Sequence, residues 1–186
     1  MKSNIITIAG SLGSGKSSTA KLIAKELGYR HFSSGDLFRA IAKERGLTVE
    51  EINQVAELEQ EIDHAVDERL KQMASEDGLV IDSRLAYHWM PNSFKVFLTL
   101  DTQHAAERIF NHIKKEGRES QDADSVEAVY NATLLRKASE KKRYANLYQI
   151  DVEDMSAFDI VIDTGPNDLP TVAQMVTDAF QEWKAN

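Results

Sequence analysis

Gly10-Ser11-Leu12-Gly13-Ser14-Gly15-Lys16-Ser17 fits the pattern G-x-x-x-x-G-K-[ST] at every fixed position. The run before it, Asn4–Ala9 (NIITIA), is short and β-branched and stops at a glycine, as a buried strand does. The run after it, Ser17–Leu27, spaces Ala20, Ile23, Ala24 and Leu27 as a helix would, until Gly28 ends it. Strand, glycine loop and helix in that order are the setting in which the pattern binds phosphate. Glycines at 10, 13 and 15 allow positive φ and turn backbone N–H groups inward toward phosphate oxygens. The N-terminus of the following helix adds its partial positive charge to the same spot. Lys16 is expected to reach the β- and γ-phosphates, and the Ser17 hydroxyl to ligate Mg²⁺. Chance would produce the four fixed positions roughly once in a hundred chains of this length, before the strand and helix are counted. Gly10, Ser11, Leu12, Gly13, Ser14, Gly15, Lys16, Ser17 and Ser18 are therefore expected to hold a nucleoside triphosphate, ATP.

The same alternation continues outward. Tyr29–Phe32, Gly78–Asp82 (GLVID), Phe94–Leu100 (FKVFLTL) and Phe158–Asp163 (FDIVID) read as four more strands. Helices are expected from Ser34 to about Arg45, over Thr102–Lys115, Ser125–Tyr148 and Asp168–Lys184. Thr48 with Glu51 three residues on has the form of a capping box, opening a long acidic helical stretch to about Ser75. Glu57–Asp63 lacks clear apolar periodicity, so a break is expected there. Glu116–Asp124, polar and charged around Gly117, reads as a loop. Five near-continuous apolar strands separated by helices imply an α/β fold with a parallel sheet covered on both faces.

The 186 residues fit one domain, and 42% hydrophobic residues is ordinary globular composition. With 22 Lys and Arg against 30 Asp and Glu, the net charge is −8. No global positive field would draw a nucleic-acid polymer or an anionic membrane, although a few local cations suffice for a small phosphate site. Cysteine is absent, which excludes disulfides, thiolate metal sites and cysteine nucleophiles. No apolar run reaches the roughly 18 residues of a membrane span, and MKSNIITIAG lacks signal-peptide anatomy. The chain is expected to be soluble and cytoplasmic, with a monomer the default at this size. His31, His64, His88, His104 and His112 show no metal-ligand spacing, and Trp89 and Trp183 read as packing residues.

Charged residues at later element junctions carry the remaining chemistry. Ser34 and Gly35 resemble an N-cap pair at a strand-to-helix junction, with Arg39 about one turn inside; simple capping with an exposed arginine is the plainer account. Asp82 ends a strand at the C-terminal edge of the sheet, where ligands bind in such folds. It would hold Mg²⁺ through water or orient an acceptor, or else merely cap a helix after the strand. Arg84 would clamp an acceptor phosphate in bidentate fashion. Arg136, Glu140 and Arg143, spaced by four and three, share one helix face. They are either a salt-bridged solvent face or two guanidinium groups set against transferring phosphates, with Glu140 orienting them or a sugar hydroxyl. Arg108, ending an amphipathic helix, is more simply surface. An Asn-Lys-x-Asp guanine-reading motif is missing, which speaks against a switch GTPase.

Three runs, GSLGSGKSSTAKLIAKELGYRHFSSGDLFR from Gly10, LVIDSRLA from Leu79 and RKASEKKRYANLYQIDVEDMSAFDIVIDT from Arg136, carry a resemblance. In this order, and covering nearly the whole chain, they resemble the cytidylate kinase family of P-loop nucleoside monophosphate kinases, in its short, archaeal-type branch. The resemblance implies a three-layer fold with a five-stranded parallel core, a helical acceptor-binding insertion at about 35–75 and a short lid at about 111–124. It implies phosphoryl transfer from Mg-ATP to a nucleoside monophosphate, CMP or dCMP. Lys16, Arg136, Arg143 and Asp82 would be catalytic; Ser34, Gly35, Arg39, Arg84 and Glu140 would bind the acceptor; Ser17 and Asp82 would face the metal. Thr164–Pro166 would border the adenine. Two departures stand out. Ser83 replaces the glycine usual in Glu-Gly-Arg, with Asp82 in place of the glutamate, so the acceptor pocket is expected to be narrowed or reshaped. The lid stretch holds one arginine, Arg118, among acids, which limits its phosphate-clamping power.

The acceptor phosphate of such a reaction is already ionised, so positioning and charge neutralisation suffice and no strong base is needed. Two other readings remain open: a kinase of another small metabolite, with Asp36 or Asp82 as base for a hydroxyl acceptor, and a non-catalytic ATP-binding regulator.

Overall fold

The computed structural model describes residues 2–116 and 124–186. Strands β1 (Ile5–Gly10), β2 (Arg30–Ser33), β3 (Leu79–Asp82), β4 (Phe94–Thr99) and β5 (Ile160–Asp163) form one sheet in the order β2-β3-β1-β4-β5. Every pairing is parallel. β1 lies at the centre and is buried at all six residues, which explains its unbroken apolar reading. Its alternate side chains serve opposite faces. Ile6 and Ile8 join Val80, Val96 and Leu98 beneath helices α1 (Lys16–Leu27) and, at the C-terminus, α8 (Leu169–Ala185). Ile5 joins Leu79 and Ile81 on the other face, under Leu70 and Met73 of α4 (Gln60–Met73) and Ala86 and Met90 around α5 (Ala86–Trp89).

Helices α2 (Ser34–Glu44), α3 (Val49–Ala56) and α4 build a separate small core of Ala42, Ile52, Ala56 and Ile62, with Phe38 and Ile41 packed against it. The long helix expected from Thr48 divides here at Glu57–Glu59, since turning α4 back lets Ile62 meet Ile52. The capping box is present in full: Thr48 Oγ1 accepts from the Glu51 N–H, and Glu51 accepts from the Thr48 N–H. Helices α6 (Thr102–Glu116) and α7 (Val126–Tyr148) complete the chain.

The strands differ from their expected bounds by one residue or two. Phe158 and Asp159 precede β5, and the Phe158 ring packs on Phe97 and Tyr87. β5, at the sheet edge, is not buried on both faces: Ile162 is buried, whereas Val161 is 44% exposed. The four-residue α5 has no sequence signal. Residues 117–123, with Arg118 and half of the expected lid, lie outside the described residues.

Candidate active site

The phosphate loop joins β1 to α1 at the C-terminal edge of the sheet. Gly13 and Gly15 take φ of 71° and 86°, as the motif demands. Gly10 has φ of 139° and lies so close to β4 that an added Cβ would stand 2.1 Å from the Leu98 carbonyl oxygen. Lys16 folds back over the loop, its Nζ donating to the carbonyls of Ser11 (2.6 Å) and Gly10 (3.1 Å). Burial, with the positive charge of Arg84 nearby, holds its pKa well below that of an ordinary lysine.

β2 runs into α2 without a loop, so the helix is capped by Ser33, one residue before the expected Ser34-Gly35 pair. The Ser33 hydroxyl accepts from the Asp36 N–H and donates to Asp82 Oδ1 at 2.9 Å. The Ser34 hydroxyl donates to the Asp82 carbonyl at 3.4 Å. Asp82 Oδ2 lies 3.3 Å from His31 Nε2. Burial alone would raise the Asp82 pKa; hydrogen bonds from His31, Ser17 and Ser33 and the charge of Lys16 lower it instead. The Ser17 hydroxyl and the Asp82 carboxylate thus converge as hard oxygen donors. Among the described residues no group of three or more His, Asp or Glu is set to enclose a metal. Two protein oxygens beside a phosphate site nevertheless suit Mg²⁺, which keeps waters and phosphates as its other ligands.

Facing the loop is a buried ionic cluster. Arg84 donates through Nε to Glu140 Oε2 at 2.7 Å and through Nη1 to the Gly10 carbonyl. Arg136 Nε donates to Glu140 Oε1 at 2.9 Å. The i, i+4 spacing on α7 has therefore produced an inward-facing pair, not a solvent face. Burial opposes the charge on Glu140, yet the Arg84 and Arg136 guanidinium groups hold its pKa down to about 2. Arg143, one turn further, sits apart from this pair. It is 4% exposed, donates to the carbonyl and side-chain oxygens of Asn53 (3.2 and 3.0 Å), and lies over the Phe38 ring.

Arg39 bonds Asp36 at 2.6 Å and remains partly exposed; Gly35 leaves it room, for a Cβ there would come within 3.3 Å of its guanidinium. Arg108 is not plain surface: it donates to the Thr164 carbonyl at 2.7 Å, tying α6 to the turn after β5. The hydroxyl of buried Ser83 accepts from the Leu85 N–H at 3.3 Å.

One cavity of about 550 Å³ gathers these groups, with Lys16, Ser17, Asp82, Arg84, Arg136 and Glu140 toward the loop. Its far wall comes from the helices α2–α4. There Asp63 and Asp67, which in sequence stand within an acidic stretch, are buried. Their spacing of four, interleaved with Ile62, Val66 and Leu70, is the available signal: two acids on the apolar face of a helix. Burial raises both pKa values; Arg143 opposes this at Asp63, and bonds from Tyr148 and Trp89 oppose it at Asp67. Asn53 and Tyr144, also in the lining, have no such signal.

A family model described as an AAA domain matches residues 9–130. A cytidylate kinase of Natronomonas pharaonis is 38% identical over 183 residues, covering 95% of this chain and 90% of that protein. A cytidylate kinase of Methanocaldococcus jannaschii is 38% identical over 182 residues, covering 97% and 99%. Among solved structures, a shikimate kinase from Acinetobacter baumannii in complex with shikimate superposes with a TM-score of 0.62. Its 17% identity, over 99% of this chain and 96% of that one, speaks for the fold alone.

Proposed function

The chain belongs to the cytidylate kinase family, and we propose that it transfers the γ-phosphoryl group of ATP to CMP or dCMP, giving ADP and the nucleoside diphosphate. The observation that carries this reading is the single cavity in which a phosphate loop faces Arg84 and Arg136 across a shared carboxylate, Glu140. Two anionic ligands meeting head to head need such a cluster of cations between them.

Gly10–Ser18 cradle the donor phosphates, and Lys16 moves from its loop carbonyls onto the β- and γ-oxygens. Arg136 spreads the charge of the moving group. Arg84, oriented by Glu140, holds the acceptor phosphate with Arg39, while Ser34 and Gly35 bring the start of α2 beside it. Arg143 steadies the acceptor side of the cavity. Ser17 and Asp82 would hold Mg²⁺, which when bound would neutralise charge on the phosphate oxygens. Asp82 need not act as base, because the attacking oxygen is already ionised. Residues 35–75 serve as the acceptor-binding insertion, 111–124 as the lid, and Thr164–Pro166 border the adenine. The enzyme works as a cytoplasmic monomer on small nucleotides, with neither a nucleic-acid polymer nor a membrane as partner. Among the described residues no helix is long and apolar enough to cross a membrane.

The test is ADP production from Mg-ATP against CMP, dCMP, UMP, AMP, GMP and no acceptor. Strong stimulation by CMP or dCMP is expected. Slow turnover indifferent to every acceptor would overturn the reading.

A further inference from the structure

Behind the phosphate loop, on the sheet face away from α1, lies a second cavity of about 150 Å³. Voids that exceed one water molecule are few in a domain, so this one needs a cause. Its floor is Ala9 of β1 beside Phe97 of β4, and α6 and α7 close it with Ala105 and Thr133. The loop dictates the small residues. Gly10 admits no Cβ, which would stand 2.1 Å from the Leu98 carbonyl oxygen. Ala105 passes so near that a Cβ on Gly13 would come within 3.1 Å of its own. The close approach of β4 and α6 to the phosphate loop thus leaves unfilled space behind it.

The lining states what would fit. Phe158 stands between Tyr87 and Phe97, its ring centroid 4.6 Å from the first and 4.9 Å from the second. The rings are inclined at 49° and 66°, so the wall presents the edges and faces against which a further ring packs well. The charged side chains of the lining are already paired: Glu140 with Arg84 and Arg136, Glu153 with Lys137 and Lys141. None is left to balance an ion, and the complementary ligand is therefore neutral. An apolar cavity of about 150 Å³ takes a single benzene-sized ring.

Leu12, Arg84 and Glu140 line this cavity and the main one alike, so the Arg84–Glu140 bridge is a partition between them. We propose that the small cavity is a regulatory site for a neutral single-ring aromatic molecule, which backs this partition and holds Arg84 toward the acceptor phosphate. A ring there fills the space into which the pair could withdraw, and so fixes it before the acceptor arrives. By linkage, the acceptor tightens binding of the ring by the same factor. The segment after α7 completes the enclosure with Val152 and Met155, and Glu153 pins it to Lys137 at 2.7 Å. The binding site is read from the cavity alone; its effect on the acceptor rests on the reading of the chain as a nucleotide kinase.

The test uses benzene as the probe and benzoate as its charged counterpart, on wild-type protein carrying ¹³C at the methionine methyl groups. Benzene should shift the Met155 resonance saturably, with a dissociation constant of about 1 mM or below. The Met73 and Met175 resonances should stay in place, and benzoate should shift none of them. Saturating benzene should lower the KM for CMP by about fivefold or more. Thr133→Leu, which fills the cavity from α7, should abolish both effects. Absence of a saturable Met155 shift in the wild type would overturn the proposal, whether or not the variant folds. A saturable shift with KM unchanged or raised would overturn the regulatory role while leaving the kinase standing. A fall in KM that persists in folded Thr133→Leu would put the benzene elsewhere and overturn the site. Turnover that no nucleotide stimulates would overturn the coupling together with the kinase reading, with the Met155 shift still deciding the site.

Discussion

Lys16 Nζ lies 2.6 Å from the carbonyl oxygen of Ser11, so the ammonium group rests on the loop that is to receive phosphate. Burial and the charge of Arg84 hold its pKa well below the ordinary value. A bound triphosphate reverses this by bringing negative charge against it. ATP binding should therefore take up a proton where the free enzyme's lysine is partly neutral, and affinity should fall as pH rises on the alkaline side. Calorimetry in two buffers of different ionisation enthalpy should show that uptake in the wild type and its loss in Lys16→Ala. The same variant should lose about 10²–10³ in kcat with little change in melting temperature, because the buried charge it removes does not favour the fold.

Glu140 joins Arg84 to Arg136, and its pKa is held down to about 2 from the ordinary 4.5. A carboxylate lowered in the folded state adds stability that is fully present above about 4.5 and is lost as pH falls toward 2. At about 1.4 kcal/mol per pKa unit, the displacement is worth about 3 kcal/mol. Glu140→Gln would leave two guanidinium groups buried without a counter-charge, which costs about 3–5 kcal/mol at neutral pH. Urea unfolding at pH 7, 4 and 3 should show the wild type well above the variant at pH 7. The gap should narrow steadily below about pH 4.5, and a gap independent of pH would contradict the buried bridge.

Gly10 and Gly15 both have positive φ, yet they should respond differently to a methyl group. At Gly10 the added carbon meets Leu98 backbone atoms at 2.1–2.8 Å, which no rotamer relieves. At Gly15 nothing lies within 4 Å. Gly15→Ala should cost only the left-handed backbone strain, about 1–2 kcal/mol. Gly10→Ala should force β1 from β4 and prevent a cooperative thermal transition. Thermal melts of the two variants side by side check the contrast.

The phosphate loop and the central strands are legible in the sequence because each declares itself locally. Positive-φ glycines, an unbroken apolar strand and a capped helix each need only a few neighbouring residues. The ion pairing of Arg136 with Glu140 is visible as an i, i+4 spacing, but not its direction. Whether such a pair faces water or a cavity depends on Arg84, 56 positions away from Glu140. The division of the acidic stretch at Glu57–Glu59 is legible as a loss of periodicity. The burial of Asp63 and Asp67 beyond it shows in the sequence only as two acids on an apolar helix face, while their partners Arg143, Trp89 and Tyr148 arrive from other elements. Strand β5 reads as covered on both faces because its apolar run carries no mark of lying at the sheet edge.

Ser83 stands where the family resemblance leads one to expect glycine, and a narrowed acceptor pocket is the natural expectation. The structure turns the Ser83 hydroxyl to the Leu85 N–H at 3.3 Å, while the Ser83 N–H bonds the Ile8 carbonyl at 3.0 Å. The side chain thus pins the turn between β3 and α5, next to Arg84. Ser83→Gly should lose that bond and gain unfolded-state freedom, for about 1–2 kcal/mol of stability in all. Acceptor KM should then change by no more than about threefold, because the hydroxyl engages the turn's own backbone. A tenfold fall in acceptor KM at constant kcat would show instead that Ser83 crowds the pocket. Steady-state kinetics with CMP, alongside a urea midpoint, separates the two.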